Sequence, residues 1–170
     1  MKVASLARRA ASVAAILAGL TVSAVPAHAA TAASSCADIC VLDARTGSHP
    51  DRDRLVLDLS GTGLPLVQAT VSPDGSYSAG GAGEERRLQI SGRSYLLLDL
   101  SGGAFAHSAG PDAYTTPAVE AVSLPSLKGV QLTSAGYEGH VTFGLSLGDY
   151  TQYKVFTLSS PNRVVIDIYH

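Results

Sequence analysis

Tryptophan is absent from this chain, cysteine occurs only twice, and charged side chains make up just 15% of its 170 residues. The missing indole, with two cysteines close together at Cys36 and Cys40, argues against an immunoglobulin domain, which packs a buried tryptophan on a disulfide between distant strands. Positive charge is scarce too. Beyond residue 29 nine Lys and Arg face fourteen Asp and Glu, a net charge of −5. That balance lacks the electrostatic footprint of a nucleic-acid binder and opposes adhesion to an anionic membrane surface. Beyond residue 29 there is also no apolar run long enough to span a bilayer. His49, His107, His140 and His170 have no His-x-x-x-His or Glu-x-x-His spacing, so no metal site is legible and no cofactor is implied.

What is present begins with a leader. Lys2, Arg8 and Arg9 precede an apolar stretch over residues 10–25, and Ala27-His28-Ala29 supplies small residues for cleavage. This predicts a secretory signal peptide over residues 1–29 and a secreted, extracellular or wall-associated protein. Arg8-Arg9 leaves a twin-arginine route open beside general secretion. The remaining 141 residues suffice for one domain with a core of its own. In an oxidising compartment Cys36 and Cys40 read as a small disulfide loop; a lipid on Cys36 is the alternative. Residues 30–44 are expected to form an irregular leader carrying this pair, and residues 45–170 the domain.

The body of the chain alternates. In residues 54–59, Leu55, Leu57 and Leu59 would point to one face of a strand and Arg54, Val56 and Asp58 to the other. Residues 163–168 repeat the pattern, with Val164, Ile166 and Ile168 opposite Arg163, Val165 and Asp167, and residues 95–102 echo it without the arginine. Further strands are expected over residues 65–71, 86–90, 128–133, 139–147 and 152–158, with 86–90 and 95–100 forming a hairpin around Ser91-Gly92. Residues 78–83, rich in glycine, read as a loop tip rather than a strand, and residues 102–117 as a second loop. Pro125 limits any helix in residues 118–127 to a turn or two. With eight or nine strands and no long amphipathic helix, the fold class is an all-β antiparallel sandwich.

Gly144-Leu145-Ser146-Leu147-Gly148 fits the nucleophile-elbow pattern, with Asp167 and His170 following in hydrolase order. An elbow needs a strand that turns abruptly into a helix, and the strand-like residues 149–156 follow instead. A small secreted hydrolase using Ser146 and His170 therefore stands only as an alternative, beside a purely structural or protein-interaction module. On one strand Arg54 and Asp58 are about 13 Å apart, so each needs another partner. Cross-strand ion pairs are one reading. A ligand surface is the other, because guanidinium forks and carboxylates bond sugar hydroxyls and peptide carboxylates.

Those same residues carry a resemblance. Asp53-Arg54-Leu-Val-Leu-Asp58-Leu-Ser60 and Ser160-Pro161-Asn162-Arg163-Val-Val-Ile-Asp167-Ile168 are similar to the first and last signature strands of the AMIN domain, a module found beside cell-wall amidases. Gly47-Ser-His49-Pro50-Asp-Arg-Asp53-Arg54, Leu124-Pro125-Ser-Leu127, Tyr137-Glu138-Gly139, Phe143-Gly144-Leu145 and Val155-Phe156-Thr-Leu158 bring it closest to the AMIN-like domain of actinobacterial secreted proteins and lipoproteins. The resemblance implies a sandwich of two small sheets with pseudo-two-fold symmetry and a related motif on each outer surface. It also implies non-enzymatic binding to peptidoglycan or a cell-wall-associated protein. Carried onto this sequence, it nominates Arg54 with Asp58 on one outer surface and Arg163 with Asp167 on the other as ligand-binding residues.

Overall fold

The computed structural model describes residues 39–79, 83–106 and 114–170. Among these residues there are strands and no helix. In chain order they are β1 (Ile39–His49), β2 (Arg52–Ser60), β3 (Leu66–Ser72), β4 (Ser76–Ala79), β5 (Glu84–Arg87), β6 (Ser94–Ser101), β7 (Ala104–Phe105), β8 (Val119–Ala121), β9 (Leu127–Tyr137), β10 (His140–Leu147), β11 (Gln152–Leu158) and β12 (Arg163–Tyr169). One sheet, sheet A, runs β11-β12-β2-β1-β7, and the other, sheet B, runs β3-β6-β10-β9-β8. Neighbours pair antiparallel, except that β7 lies parallel to β1. β4 and β5 form a separate two-stranded ribbon.

Alternation builds the core. Leu55, Leu57 and Leu59 of β2 and Val164, Ile166 and Ile168 of β12 meet Leu96, Leu98 and Leu100 of β6 and Phe143, Leu145 and Leu147 of β10. Each side chain fully removed from water contributes about 2 kcal/mol, so this double layer outweighs any single surface ion pair. Asp53 also points inward from β2 and is fully buried. Its Oδ2 accepts the backbone N–H of Ser126 at 2.5 Å and of Leu127 at 2.9 Å, which ties the start of β2 to the start of β9 in the opposite sheet.

The two sheets correspond strand by strand. A bulged hairpin, β1–β2 in one and β9–β10 in the other, sits beside a strand bearing one outward aspartate in an apolar run. That strand is β12 with Ile166-Asp167-Ile168 in sheet A and β6 with Leu98-Asp99-Leu100 in sheet B. Asp167 lies opposite Arg54 and Asp99 lies opposite Thr142. The pseudo-two-fold relation thus pairs β12 with β6. It does not place the arginine-bearing strands on separate surfaces: β2 and β12 are hydrogen-bonded neighbours, so Arg54, Asp58, Arg163 and Asp167 share one face of sheet A.

Other expectations are corrected as well. β1 begins at Ile39, inside the stretch expected to be irregular, because Ile39, Cys40 and Val41 are apolar enough to be buried. Cys36, residues 1–29 and most of the leader lie outside the described residues, and with Cys36 the expected pairing to Cys40, which is buried in β1. Ser78 belongs to β4. The hairpin expected between residues 86–90 and 95–100 does not form, since β5 pairs with β4 while β6 pairs with β3 and β10. Residues 88–93 instead cross the outer face of sheet B. Leu88 fills the space above Gly144, where a Cβ would lie 2.2 Å from its Cδ2, and a Cβ on Gly92 would lie 2.8 Å from the backbone nitrogen of Leu147.

Candidate ligand-recognition face

The outward residues of sheet A line up across four strands. Arg45 of β1 stands beside Val56 of β2, Val56 beside Val165 of β12, and Val165 beside Phe156 of β11. The next row is Gly47, Arg54, Asp167 and Lys154. A third brings together Asp43, Asp58, Arg163 and Leu158. Arg45, Arg52, Arg54, Lys154 and Arg163 thus outnumber Asp43, Asp58 and Asp167 on this face, in a chain whose overall charge is negative.

Two bidentate forks order the charges. Arg54 donates from Nε to Asp167 Oδ1 at 2.6 Å and from Nη2 to Oδ2 at 2.8 Å. Arg52 Nε comes within 3.3 Å of the same carboxylate. Asp167 has a side-chain exposure of only 4%, against 29% for Arg54, so the aspartate is the buried anchor and the guanidinium is the group that meets solvent. The hydrogen bonds from Arg54 hold the Asp167 carboxyl below the usual carboxylate range, and the same bonds raise the Arg54 guanidinium above its ordinary value. Arg45 makes the second fork, from Nε at 2.5 Å and Nη2 at 2.8 Å to Asp58. Its pKa is raised by that hydrogen bonding. At 55% side-chain exposure Arg45 makes a solvated pair of small energetic weight.

Arg163 lies in register opposite Asp58, yet its Nε donates to the carbonyl of Pro161 at 3.3 Å, because Arg45 has taken the carboxylate. Phe156 gives the face an aromatic ring, with Arg54 Cζ 5.8 Å and Lys154 Nζ 5.5 Å from its centroid, both within cation–π range. Beside Arg54 a hollow of about 180 Å³ is lined by Arg45, Thr46, Gly47, His49, Arg54 and Val56. Fixed guanidinium edges beside a ring and a shallow hollow can hold carboxylates and the flat face of a small ring.

Arg54, Asp58, Arg163 and Asp167 are therefore brought together, but in unequal roles: two carboxylates orient, and two guanidinium groups present free edges. Arg45, Arg52, Lys154 and Phe156 escaped the sequence reading. Lys154 and Phe156 alternate with the half-buried Tyr153 and Val155, which was the available signal, but only the register of β11 on β12 puts them beside Asp167 and Val165.

The hydrolase alternative fares differently. Ser146 is the penultimate residue of β10, is fully buried, and its Oγ has no hydrogen-bond partner. His170 Nδ1 instead lies 3.0 Å from Ser126 Oγ, on a serine that is itself fully buried. No group of three or more His, Cys, Asp and Glu side chains suited to a metal ion occurs among the described residues, and no helix among them is long and apolar enough to cross a membrane.

Comparison with known proteins agrees with the architecture. The family model of the AMIN-like domain matches residues 40–170, which includes every strand from β2 to β12 and all but the first residue of β1. No curated protein and no solved structure matches the chain.

Proposed function

The chain belongs to the AMIN-like domain family, and from that membership together with the chemistry of sheet A we propose that it is a secreted, non-enzymatic module that binds cell-wall peptidoglycan. The observation that carries this reading is the excess of outward Arg and Lys around Phe156 on sheet A of an otherwise acidic chain. Peptidoglycan joins sugar rings to short peptides that end in carboxylates. The solvent-facing edges of Arg54 and Arg163 would bond those carboxylates, and Phe156 would lie against a ring face. Asp167 acts by holding Arg54 in position and Asp58 by holding Arg45, rather than by touching ligand. Each contact is modest, so binding is reversible.

The test is co-sedimentation of the purified protein with insoluble peptidoglycan, comparing wild type with the Arg54→Ala/Arg163→Ala double variant, with circular dichroism to verify that both are folded. Wild-type binding that is lost in the folded variant supports the reading. Equal binding by both removes sheet A as the surface, and capture of a wall-associated protein without binding to purified peptidoglycan shifts the partner to protein.

A further inference from the structure

The opposite outer face carries a different kind of site. On sheet B, Gln68 of β3, Asp99 of β6 and Thr142 of β10 stand in one row, and Thr133 of β9 joins them at a bulge. The crossing segment 88–93 covers the neighbouring half of the sheet, and the β4–β5 ribbon stands along the open half. Beside the ribbon is a cleft of about 280 Å³, floored by Gln68, Thr70, Leu97, Asp99 and Thr142 and walled by Tyr77 and Ser78.

The chemistry of this cleft is specific. Asp99 is the one charged side chain among its lining residues, and no lining residue is cationic. Its carboxylate is oriented from the side by His140, whose Nδ1 lies 2.9 and 3.2 Å from the two oxygens. Thr133 Oγ1 lies 2.6 Å from Thr142 Oγ1, with either hydroxyl as donor, and 3.0 Å from the Thr142 carbonyl, so the two hydroxyls are tied to each other and the Thr142 oxygen keeps a lone pair for a ligand whichever of them donates. The floor therefore offers acceptors in Asp99 and Thr142, with the amide of Gln68 and the hydroxyls of Thr70 and Ser78 available as donors. Leu97 supplies an apolar patch on the floor and Tyr77 an aromatic wall.

A ligand that matches must carry several hydroxyl or N–H donors, one apolar face and no negative charge. A neutral sugar ring has all three, with equatorial hydroxyls for Asp99 and Thr142 and a C–H face for Leu97 and Tyr77. We infer that this cleft is a binding site for a neutral saccharide unit, separate from the cationic face of sheet A and independent of whether that face binds peptidoglycan.

The test is a titration of ¹⁵N-labelled protein with maltotriose, cellotriose and chitotriose, with spermidine as a cationic control, followed by amide chemical shifts. The expected result is saturable shifts at Tyr77, Asp99 and Thr142 with one of the trisaccharides. Thr142→Val and Asp99→Asn, both close in shape to the native residues, should each weaken that binding about tenfold or more. Arg54→Ala/Arg163→Ala should leave it unchanged, which separates this site from the one on sheet A. Spectra of the variants report folding directly. Saturation by spermidine alone, saccharide shifts confined to sheet A, or no saturable shift in the cleft with any of the three sugars would each overturn the inference.

Discussion

Arg54 and Asp167, 113 residues apart in sequence, face each other in register across β2 and β12 and are joined by two hydrogen bonds of 2.6 and 2.8 Å. The pair sets the geometry of the candidate face, because the buried carboxylate fixes the plane of the guanidinium and so the direction of its remaining N–H groups. It also makes the two partners unequal. Loss of Arg54 leaves a carboxylate of 4% exposure with Arg52 as its remaining close cation, whereas loss of Asp167 leaves two arginines side by side.

The pair should impose a pH dependence on stability. The Asp167 pKa is held down by Arg54 in the folded chain, while in the unfolded chain it takes its ordinary value of about 3.9. Between those values the unfolded state binds the extra proton, so stability rises with pH; the contribution is full above the unfolded value and lost as pH falls through the folded one. Urea unfolding followed from about pH 5 downward should therefore show a steeper acid loss in wild type than in Asp167→Asn. At neutral pH Asp167→Ala should cost about 2 kcal/mol, as for hydrogen bonds to charged groups. Parallel acid limbs in the two proteins would rule out a linked Asp167.

Asp53 should matter more to stability than any arginine on the surface. It is fully buried, and its Oδ2 satisfies two backbone donors at the start of β9. Asp53→Ala would strand both N–H groups away from water at a cost of about 3 kcal/mol. Asp53→Asn keeps one oxygen for the pair and should cost less. Thermal unfolding of the two variants checks the order, and an Asn variant worse than the Ala variant would contradict it.

The crossing segment should be held by shape. Gly144→Ala drives a methyl into Leu88, a side chain, whereas Gly92→Ala drives one into the backbone of Leu147. Gly144→Ala should thus destabilise by about 1–3 kcal/mol and be partly rescued by Leu88→Ala, while Leu88→Ala should not rescue Gly92→Ala. A double-variant cycle measured by urea unfolding decides this, and additive effects of Gly144→Ala and Leu88→Ala would refute the contact.

How much of this was legible before the fold was known follows from the range of each interaction. The alternation in residues 54–59 and 163–168 is local, and it correctly assigned Leu55, Leu57, Leu59, Val164, Ile166 and Ile168 to the core. The recurrence of Arg and Asp in those two strands marked the candidate residues. Which face they share depends on pairing across more than a hundred residues, which periodicity does not encode, and the family resemblance placed Arg54/Asp58 and Arg163/Asp167 on opposite surfaces instead of on one. The ribbon was missed for a related reason. Residues 86–90 were expected to pair with 95–100, but Glu84-Glu85-Arg86-Arg87 has no apolar face to fix its partner, and its pairing with β4 rests on backbone hydrogen bonds. The cleft on sheet B draws its floor from β3, β6, β9 and β10, and no stretch of sequence contains it.

The place of β12, between β11 and β2, bears on how the molecule comes into being. The β1–β2 hairpin is made early in the chain, yet the strand that covers the other edge of β2 is the last of the twelve. Until Val164, Ile166 and Ile168 arrive, Leu55 and Leu57 lack their lateral neighbours and sheet A cannot close. Joining strands so far apart carries the full loop-closure entropy before any packing rewards it. Folding of this domain is accordingly expected to be comparatively slow and to be completed only once β12 is available, and a product truncated before β12 would expose the edge of β2 for pairing with other chains.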